Sequence, residues 1–240
     1  MKLGIISDIH NNLAALQAVL ARFAAERCDG VLCCGDIIGI GAFPEETVAA
    51  LRDLPGLLGC VRGNHERYLL EGMAVGDDGM GAEEFAYHQW EHARLSAESA
   101  AFLRELPYAE YLDLAGRRIY LAHYAMDKKG HHRHYRYTPS PNPRLLRSMF
   151  RGVEADIILY GHNHTPHVCQ SHGKWYINCG SLGCPAREKD IARAGILTLD
   201  EGISFMPLRM QYDIRPTLAA IETFNFPAKG EILRFFYGMV

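Results

Sequence analysis

Short apolar runs that end abruptly in metal-binding residue types constrain the fold of this chain more than any other feature. Five such runs are predicted as buried strands, at residues 3–6, 31–34, 57–61, 119–122 and 157–160. Each is followed within a few residues by aspartate, asparagine or histidine. In an open α/β sheet the ligand site lies beyond the carboxyl ends of the strands, so we expect the five endings to converge on one crevice.

The segments between the first three runs predict helices and therefore a β-α-β-α-β beginning. Leu13, Leu16, Leu20 and Phe23 recur at spacings of three and four, which places one apolar face on a helix. Pro44 opens a second predicted helix, since proline is favoured at the first helical position. Connections of this kind join parallel strands, so the sheet should be parallel at its centre.

The later part of the chain indicates a single domain that contains an inserted segment. Residues 71–107 are glycine-rich at first and then mostly helical, which indicates a helical insertion or cap. Turn residues at 115–116, 172–173 and 200–202 predict three hairpins. Without an internal repeat or a low-complexity linker, residues 1–240 are interpreted as a single domain.

Length and composition exclude several classes of protein. A chain of 240 residues with 48% hydrophobic residues can bury a large core without a structural metal, so any metal should serve chemistry. There is no apolar run of the roughly 18 residues that a membrane helix needs, and Asp8 comes too early for a signal peptide. We therefore expect a cytoplasmic protein with no membrane partner. A net charge of −3 argues against general nucleic-acid binding.

Seven candidate ligands follow the predicted strands. They are two aspartates, four histidines and one asparagine, namely Asp8, Asp36, His10, His123, His162, His164 and Asn64. Such a set of nitrogen and oxygen donors suits manganese, iron, zinc, cobalt or nickel better than calcium or magnesium. Seven ligands are too many for one catalytic ion, whereas two ions roughly 3.5 to 4 Å apart could share a carboxylate and still bind water.

The order of these residues resembles the calcineurin-like metallophosphoesterase superfamily. The matching motifs are Asp8-x-His10, Gly35-Asp36, Gly63-Asn64-His65-Glu66, His123 and Gly161-His162-x-His164. Together with the closing segment 177–181, they look most like the small bacterial stand-alone phosphoesterases of that superfamily. The resemblance implies an α/β fold in which a two-sheet β-sandwich is flanked by helices.

The resemblance also implies the role of each residue. One metal would be held by Asp8, His10, Asp36 and His164, and the other by Asp36, Asn64, His123 and His162. The cofactor would be two divalent ions, with manganese favoured and iron, zinc, cobalt or nickel as alternatives. His65 matches the catalytic histidine, which lies outside the metal shell. Tyr124 is a departure, because many relatives carry glycine there.

The function expected from this resemblance is hydrolysis of a phosphodiester or a nucleotide-like substrate. Hydroxide activated by the two metals would attack phosphorus, with His65 as general acid. A phosphomonoesterase or protein phosphatase is an alternative suggested by segment 61–66, although no Asp-Arg-Gly follows Gly35-Asp36. A scaffold without activity is less favoured because every motif position is filled. The expected partner is a small phosphorylated substrate, and a homodimer is left open.

Several further residues have a functional and a structural interpretation. Glu66 could keep His65 protonated, and Arg62 could contact phosphate or form an ordinary salt bridge. The basic stretch 128–136 could grip phosphate, but a solvated loop is favoured. Because His88 and His92 lack an evident third ligand, packing is favoured over metal binding. Two more expectations concern pairs of residues: a helix cap at Asn11-Asn12, and support of the site by Asn178 and Ser181.

Overall fold

The structure, a computed structural model, describes residues 1–126, 138, 140–184 and 188–238. The basic stretch 128–136 lies outside these residues. Ten strands are found in the described part of the chain: β1 (Lys2–Ile6), β2 (Gly30–Cys33), β3 (Leu57–Cys60), β4 (Ala109–Leu114), β5 (Arg117–Ala122), β6 (Ile157–Leu159), β7 (His167–Ser171), β8 (Lys174–Asn178), β9 (Ile191–Leu199) and β10 (Ile203–Gln211). The α-helices among the same residues are α1 (Leu13–Ala25), α2 (Pro44–Arg52), α3 (Asn64–Glu71), α4 (Ala82–His92), α5 (Ala97–Glu105), α6 (Pro143–Met149), α7 (Arg215–Phe224) and α8 (Lys229–Phe236).

The strands form two five-stranded sheets, in the orders β10-β9-β1-β2-β3 and β4-β5-β6-β8-β7. In the first sheet β1, β2 and β3 are parallel, and β9 joins them antiparallel to β1. In the second sheet β5, β6 and β8 are parallel, with antiparallel β4 and β7 at the edges. The predicted parallel centre is therefore confirmed, and it occurs twice.

Apolar side chains between the two sheets form one core of the sandwich. It includes Leu3 and Ile5 of β1, Leu121 of β5, Leu159 of β6 and Leu197 of β9, all of which are buried. Residues alternate along a strand between its two faces, so the other face of the first sheet packs on α1 and α2 through a separate core. The predicted fold, a two-sheet sandwich flanked by helices, is confirmed.

The predicted helical insertion, residues 71–107, contains α4, α5 and a short 3₁₀-helix at Asp77–Gly79. Leu103 of α5 packs into the core beside α1 and α2. Tyr87 of α4 instead packs with Ile221 of α7 and Ile232 of α8. The helix α8 was not predicted from the sequence, and it brings the C-terminal region next to the insertion.

Local signals place the first loop of the site. The side chain of Asn12 accepts a hydrogen bond from the backbone N–H of Ala15 and so caps α1, as predicted. Its amide also donates to the Gly183 carbonyl and to the Tyr212 hydroxyl. Among the residues that the structure describes, no helix is long and apolar enough to span a membrane.

Candidate metal centre

The loops after β1, β2, β3, β5 and β6 bring all seven predicted ligands to one end of the sandwich. Asp8 and Asp36 follow parallel neighbours in the first sheet, and Asn64 begins α3 after β3. His123 and His162 follow parallel neighbours in the second sheet. The crevice is therefore built from both sheets, because each sheet directs the carboxyl ends of its parallel strands to the same end of the molecule.

The Asp36 carboxylate lies between two groups of histidines. Its Oδ2 is 3.1 Å from His123 Nε2 and 3.9 Å from His10 Nε2. Ligand atoms of Asp36, His123 and His162 lie within 4.8 Å of one another, and those of Asp36, His10 and His65 do the same. One carboxylate is thus within reach of two possible ion positions.

The other predicted ligands complete these two groups. Asp8 Oδ1 lies 3.4 Å from His164 Nε2, which is itself 3.0 Å from His10 Nε2. Asn64 Oδ1 lies 3.1 Å from His162 Nδ1. The structure therefore brings together every residue of the predicted ligand set.

The backbone at these residues adopts conformations that side chains normally avoid. Five of the predicted ligands have a positive φ between 50° and 69°: Asp8, His10, Asp36, His162 and His164. The left-handed region costs a non-glycine residue of order 1 kcal/mol, so it persists only where the surroundings impose it. Such strain concentrates at functional sites, and here it points several ligands from neighbouring strand ends toward one another.

Two glycines let the backbone pass directly beside the carboxylates. A Cβ on Gly63 would lie 2.0 Å from Asp36 Oδ1, and a Cβ on Gly161 would lie 2.7 Å from Asp8 Oδ2. Any larger residue at either position would displace a ligand oxygen.

Backbone carbonyls orient two of the histidines. His10 Nδ1 lies 3.2 Å from the Ile38 carbonyl, and His123 Nδ1 lies 2.8 Å from the Cys34 carbonyl. In each case Nδ1–H donates to the carbonyl and leaves Nε2 facing the centre, which is the arrangement of histidines that bind metals.

Polar residues around the centre hold its loops in place, as predicted for Asn178 and Ser181. The Ser181 hydroxyl donates to the Asp8 carbonyl, and the Asn178 amide donates to the Gly161 carbonyl. The Ser7 hydroxyl donates to Asp8 Oδ2 over 2.5 Å.

The Glu66 carboxylate has a different role from the predicted one. It accepts hydrogen bonds from the backbone N–H groups of Asp36, Ile37, Ile38 and Gly63. These hydrogen bonds fix the loop that carries Asp36, whereas the sequence suggested that Glu66 could keep His65 protonated. Burial and the charge of Asp36 raise its pKa to about 7, against the opposing effect of these hydrogen bonds.

Burial and charge set the protonation of the ligands. Burial lowers the pKa of His10 and of His162 to about 4, so both rings are neutral, as a metal ligand must be. Burial also lowers the pKa of His123, but the Asp36 and Asp8 carboxylates outweigh it and raise that pKa to about 10. Asp36 is held well below its ordinary pKa, against the effect of burial, by His123 and His65. The centre therefore requires positive charge, which a divalent cation can supply in place of a proton.

His65 stands at the boundary of this cluster. Its Nε2 is 4.0 Å from Asp36 Oδ2, and its backbone N–H donates to Asp36 Oδ1. A Cβ on Gly39 would lie 2.4 Å from His65 Nδ1, so glycine makes room for the ring. Burial lowers the pKa of His65 to about 3, although Asp36 opposes this shift. In the free site the ring is neutral.

Two other predicted features have structural explanations. The Tyr124 ring packs on the His162 ring with centroids 4.5 Å apart. Arg62 donates from Nε to the Leu106 carbonyl and from Nη2 to the Arg104 carbonyl, so two of its nitrogens bind the backbone of the insertion. The Arg62 guanidinium thereby ties the end of the insertion to β3.

A second cluster of histidine and carboxylate lies on α4, and sequence reasoning overlooked one of its members. Glu91 is the third candidate ligand that was missing beside His88 and His92. Its Oε2 lies 3.1 Å from His88 Nδ1 and 3.9 Å from His92 Nε2. Spacings of three and four residues place all three on one helix face, and that signal was available in the sequence.

In the α4 cluster of His88, Glu91 and His92, the Glu91 carboxylate is already bound by protein donors. Glu91 Oε1 accepts hydrogen bonds from the backbone N–H of Gly39 and from the Asn11 amide. Its Oε2 accepts from His88. Glu91 therefore joins the insertion to the loops that follow β1 and β2.

Comparisons with known proteins agree with this geometry. The sequence model described as the calcineurin-like phosphoesterase superfamily domain matches residues 1–202. An uncharacterized protein of Methanocaldococcus jannaschii is 29% identical over 249 aligned positions, which cover 94% of this chain and 93% of that protein. A family match of this extent includes every strand end of the candidate centre.

Solved structures share the fold over the whole chain. A crystal structure of a metallophosphoesterase from Sphaerobacter thermophilus has a TM-score of 0.76 at 25% identity and is covered in full, as is this chain. A hypothetical protein from Pyrococcus horikoshii has a TM-score of 0.84 at 16% identity, with 100% of this chain and 99% of that chain covered. From its motifs, its two-sheet fold and the match over residues 1–202, this chain belongs to the calcineurin-like phosphoesterase superfamily.

Proposed function

We propose that the chain is a metal-dependent phosphoesterase that hydrolyses phosphodiesters at the strand-end centre. This name denotes the group formed by Asp8, His10, Asp36, Asn64, His123, His162 and His164. One observation carries the proposal: the buried Asp36 carboxylate is within reach of two separate groups of histidines. A shared carboxylate between two sets of nitrogen ligands suits a pair of divalent ions. The donor set suits manganese, iron, zinc, cobalt or nickel. Of these, the family resemblance favours manganese.

The proposed ligands divide around Asp36. Asp8, His10 and His164 would complete one ion site, and Asn64, His123 and His162 would complete the other. When bound, the two ions would activate water and offset negative charge on the phosphoryl oxygens. Nε2 of His10 and Nε2 of His123 are oriented for binding because Nδ1 of each ring is bound to a carbonyl. An ion at His123 would replace the proton that the Asp36 and Asp8 carboxylates hold on this ring.

His65 would supply the proton that the leaving alcohol needs. Its Nε2 lies 4.0 Å from the Asp36 carboxylate, so the ring would lie beside a phosphate bound at this centre. The negative charge of a bound phosphate favours the protonated form of the ring, whereas the two cations favour the neutral form. His65 would then donate that proton to the leaving oxygen, as a general acid does.

Metal analysis combined with a substrate panel tests the proposal. The purified protein would be loaded with Mn, Co, Ni or Zn and assayed on bis-p-nitrophenyl phosphate, p-nitrophenyl phosphate and dinucleoside polyphosphates. We expect two ions per chain and faster hydrolysis of the diester than of the monoester. Absence of hydrolysis with every metal, despite two bound ions, would indicate a binding protein instead. A clear preference for p-nitrophenyl phosphate would favour the phosphomonoesterase alternative.

A further inference from the structure

A cavity of about 270 Å³ opens on the side of His65 that faces the insertion. The His65 side chain lines this cavity and also belongs to the ligand group of His10 and Asp36. A general acid must contact the leaving oxygen, so the group attached to that oxygen has to lie next to His65. The cavity is therefore placed to receive the leaving group.

The walls of the cavity are largely apolar and come from α4 and α8. Tyr87 of α4 faces Ile232, Phe235 and Phe236 of α8 across it. The Tyr87 ring is held by its hydroxyl, which donates to the Gly41 carbonyl over 2.7 Å. Pockets for small molecules characteristically combine such apolar walls with a few polar groups that set orientation.

The polar groups at this cavity include two carboxylates. Glu84 of α4 and Glu231 of α8 both line it, and both are exposed. Among the described residues, neither forms an ion pair with lysine or arginine. The nearest basic partner of Glu84 is His88, at 4.0 Å. Arg234 lies over the Phe235 ring at 4.4 Å, so one face of that ring already contacts a cation.

We propose that this cavity binds an apolar leaving group that carries a positive charge, such as an amine or a quaternary ammonium. Two carboxylates attract a cation and repel an anion, and aromatic rings add cation–π attraction. A leaving group that ends in phosphate or carboxylate is disfavoured for the same reason. This inference rests on the proposed function, because it assumes that His65 contacts the leaving oxygen.

The test uses three aryl methyl phosphodiesters with one scaffold and different charge. Their leaving phenols carry a 4-trimethylammonium, a 4-carboxamide or a 4-carboxylate group. Wild type and the double variant Glu84→Gln, Glu231→Gln would be compared by kcat/KM after loading with manganese. Comparing the same substrates in both proteins cancels the intrinsic reactivity of each phenol.

We expect wild type to prefer the cationic over the anionic leaving group, and the double variant to reduce that ratio roughly tenfold. The matched control is Glu83→Gln, Glu201→Gln, which removes the same charge from exposed positions that do not line the cavity. The control should keep the wild-type ratio.

The outcomes separate this inference from the proposed function. The leaving-group site would be overturned if the ratio of kcat/KM for the cationic over the anionic substrate were equal in wild type and in the double variant of Glu84 and Glu231. Hydrolysis of all three diesters in that case would still support the proposed phosphodiesterase activity. An equal change in the control variant would attribute the effect to global charge and would also overturn the site. If no diester is hydrolysed with manganese, cobalt, nickel or zinc, the proposed function fails, and the inference fails with it.

Discussion

Two clusters of histidine and carboxylate flank His65, and they differ in what their carboxylates contact. In the strand-end centre, Asp36 Oδ2 lies within 4.0 Å of nitrogens of His10, His65 and His123. In the α4 cluster, the Glu91 carboxylate accepts hydrogen bonds from the Gly39 backbone N–H, the Asn11 amide and His88. Proximity of ligand types alone therefore does not distinguish the two clusters. In the strand-end centre the Asp36 carboxylate faces the Nε2 atoms of His10 and His123. The Glu91 carboxylate of the α4 cluster instead accepts hydrogen bonds that join the insertion to the site.

The largest effect should come from removing the carboxylate that the two ion positions share. Asp36→Asn should lose metal and lower kcat/KM by about 10³-fold, since a loss near 4 kcal/mol of transition-state stabilisation corresponds to that factor. Metal content and diester hydrolysis would be measured together. Asp113→Asn is the control, because that side chain is 78% exposed on β4. Full metal content in Asp36→Asn would contradict the shared role of Asp36.

His65 should affect turnover but not metal content. His65→Ala is expected to lower kcat by about 10²-fold or more, the usual contribution of a general acid. The ligand atoms of His65 lie close to those of His10 and Asp36, so metal binding is the alternative role. Metal analysis distinguishes the two, because loss of an ion in this variant would make His65 a ligand.

Glu91 should affect stability but not metal content. Glu91→Gln weakens an acceptor that is fully buried and serves the Gly39 N–H, so we expect a loss of about 1 to 3 kcal/mol in the free energy of unfolding. Burial alone would raise the pKa of Glu91, but the hydrogen bond from His88 and nearby histidine charges hold it below 4.5. A carboxylate with a depressed pKa stabilises the fold above its unfolded pKa and loses that contribution as pH falls.

The stability gap between wild type and Glu91→Gln should accordingly narrow as pH drops below 4.5. Denaturant titrations of the metal-free proteins at several pH values would measure it. A gap that widens toward acid pH would contradict the ionised state of Glu91. Loss of a metal equivalent from the loaded variant would show that the α4 cluster binds an ion.

The smallest effect should come from the more exposed end of the α4 cluster. His92→Ala removes a candidate ligand whose nitrogen is 3.9 Å from Glu91. We expect unchanged metal content and a stability loss of about 1 kcal/mol or less. Elemental analysis of His92→Ala and His164→Ala in parallel gives the sharpest comparison, because only the His164 variant should lose metal.

The positions along the chain of five strands and of the motifs that follow them were predictable from the sequence, because both depend on local patterns. Short apolar runs specify buried parallel strands, and polar residues directly after them can only lie at the strand ends. The capping role of Asn12 was predictable for the same reason, since a cap acts within one helical turn. All seven proposed ligands were found in this way.

Contacts between distant segments were decided only by the tertiary structure. The sequence placed Glu66 beside His65, but the fold directs its carboxylate to four backbone N–H groups. Arg62 donates a hydrogen bond to a carbonyl of the insertion. Glu91 accepts one from the backbone N–H of Gly39, which lies 52 residues earlier in the chain. The hydrogen-bond partners of a side chain depend on which segments the fold packs together. A buried donor or acceptor without a partner costs free energy, so it bonds to the groups that packing places beside it. The pocket beside His65 exists for that reason, because α8 packs against α4 and no local pattern predicts that contact.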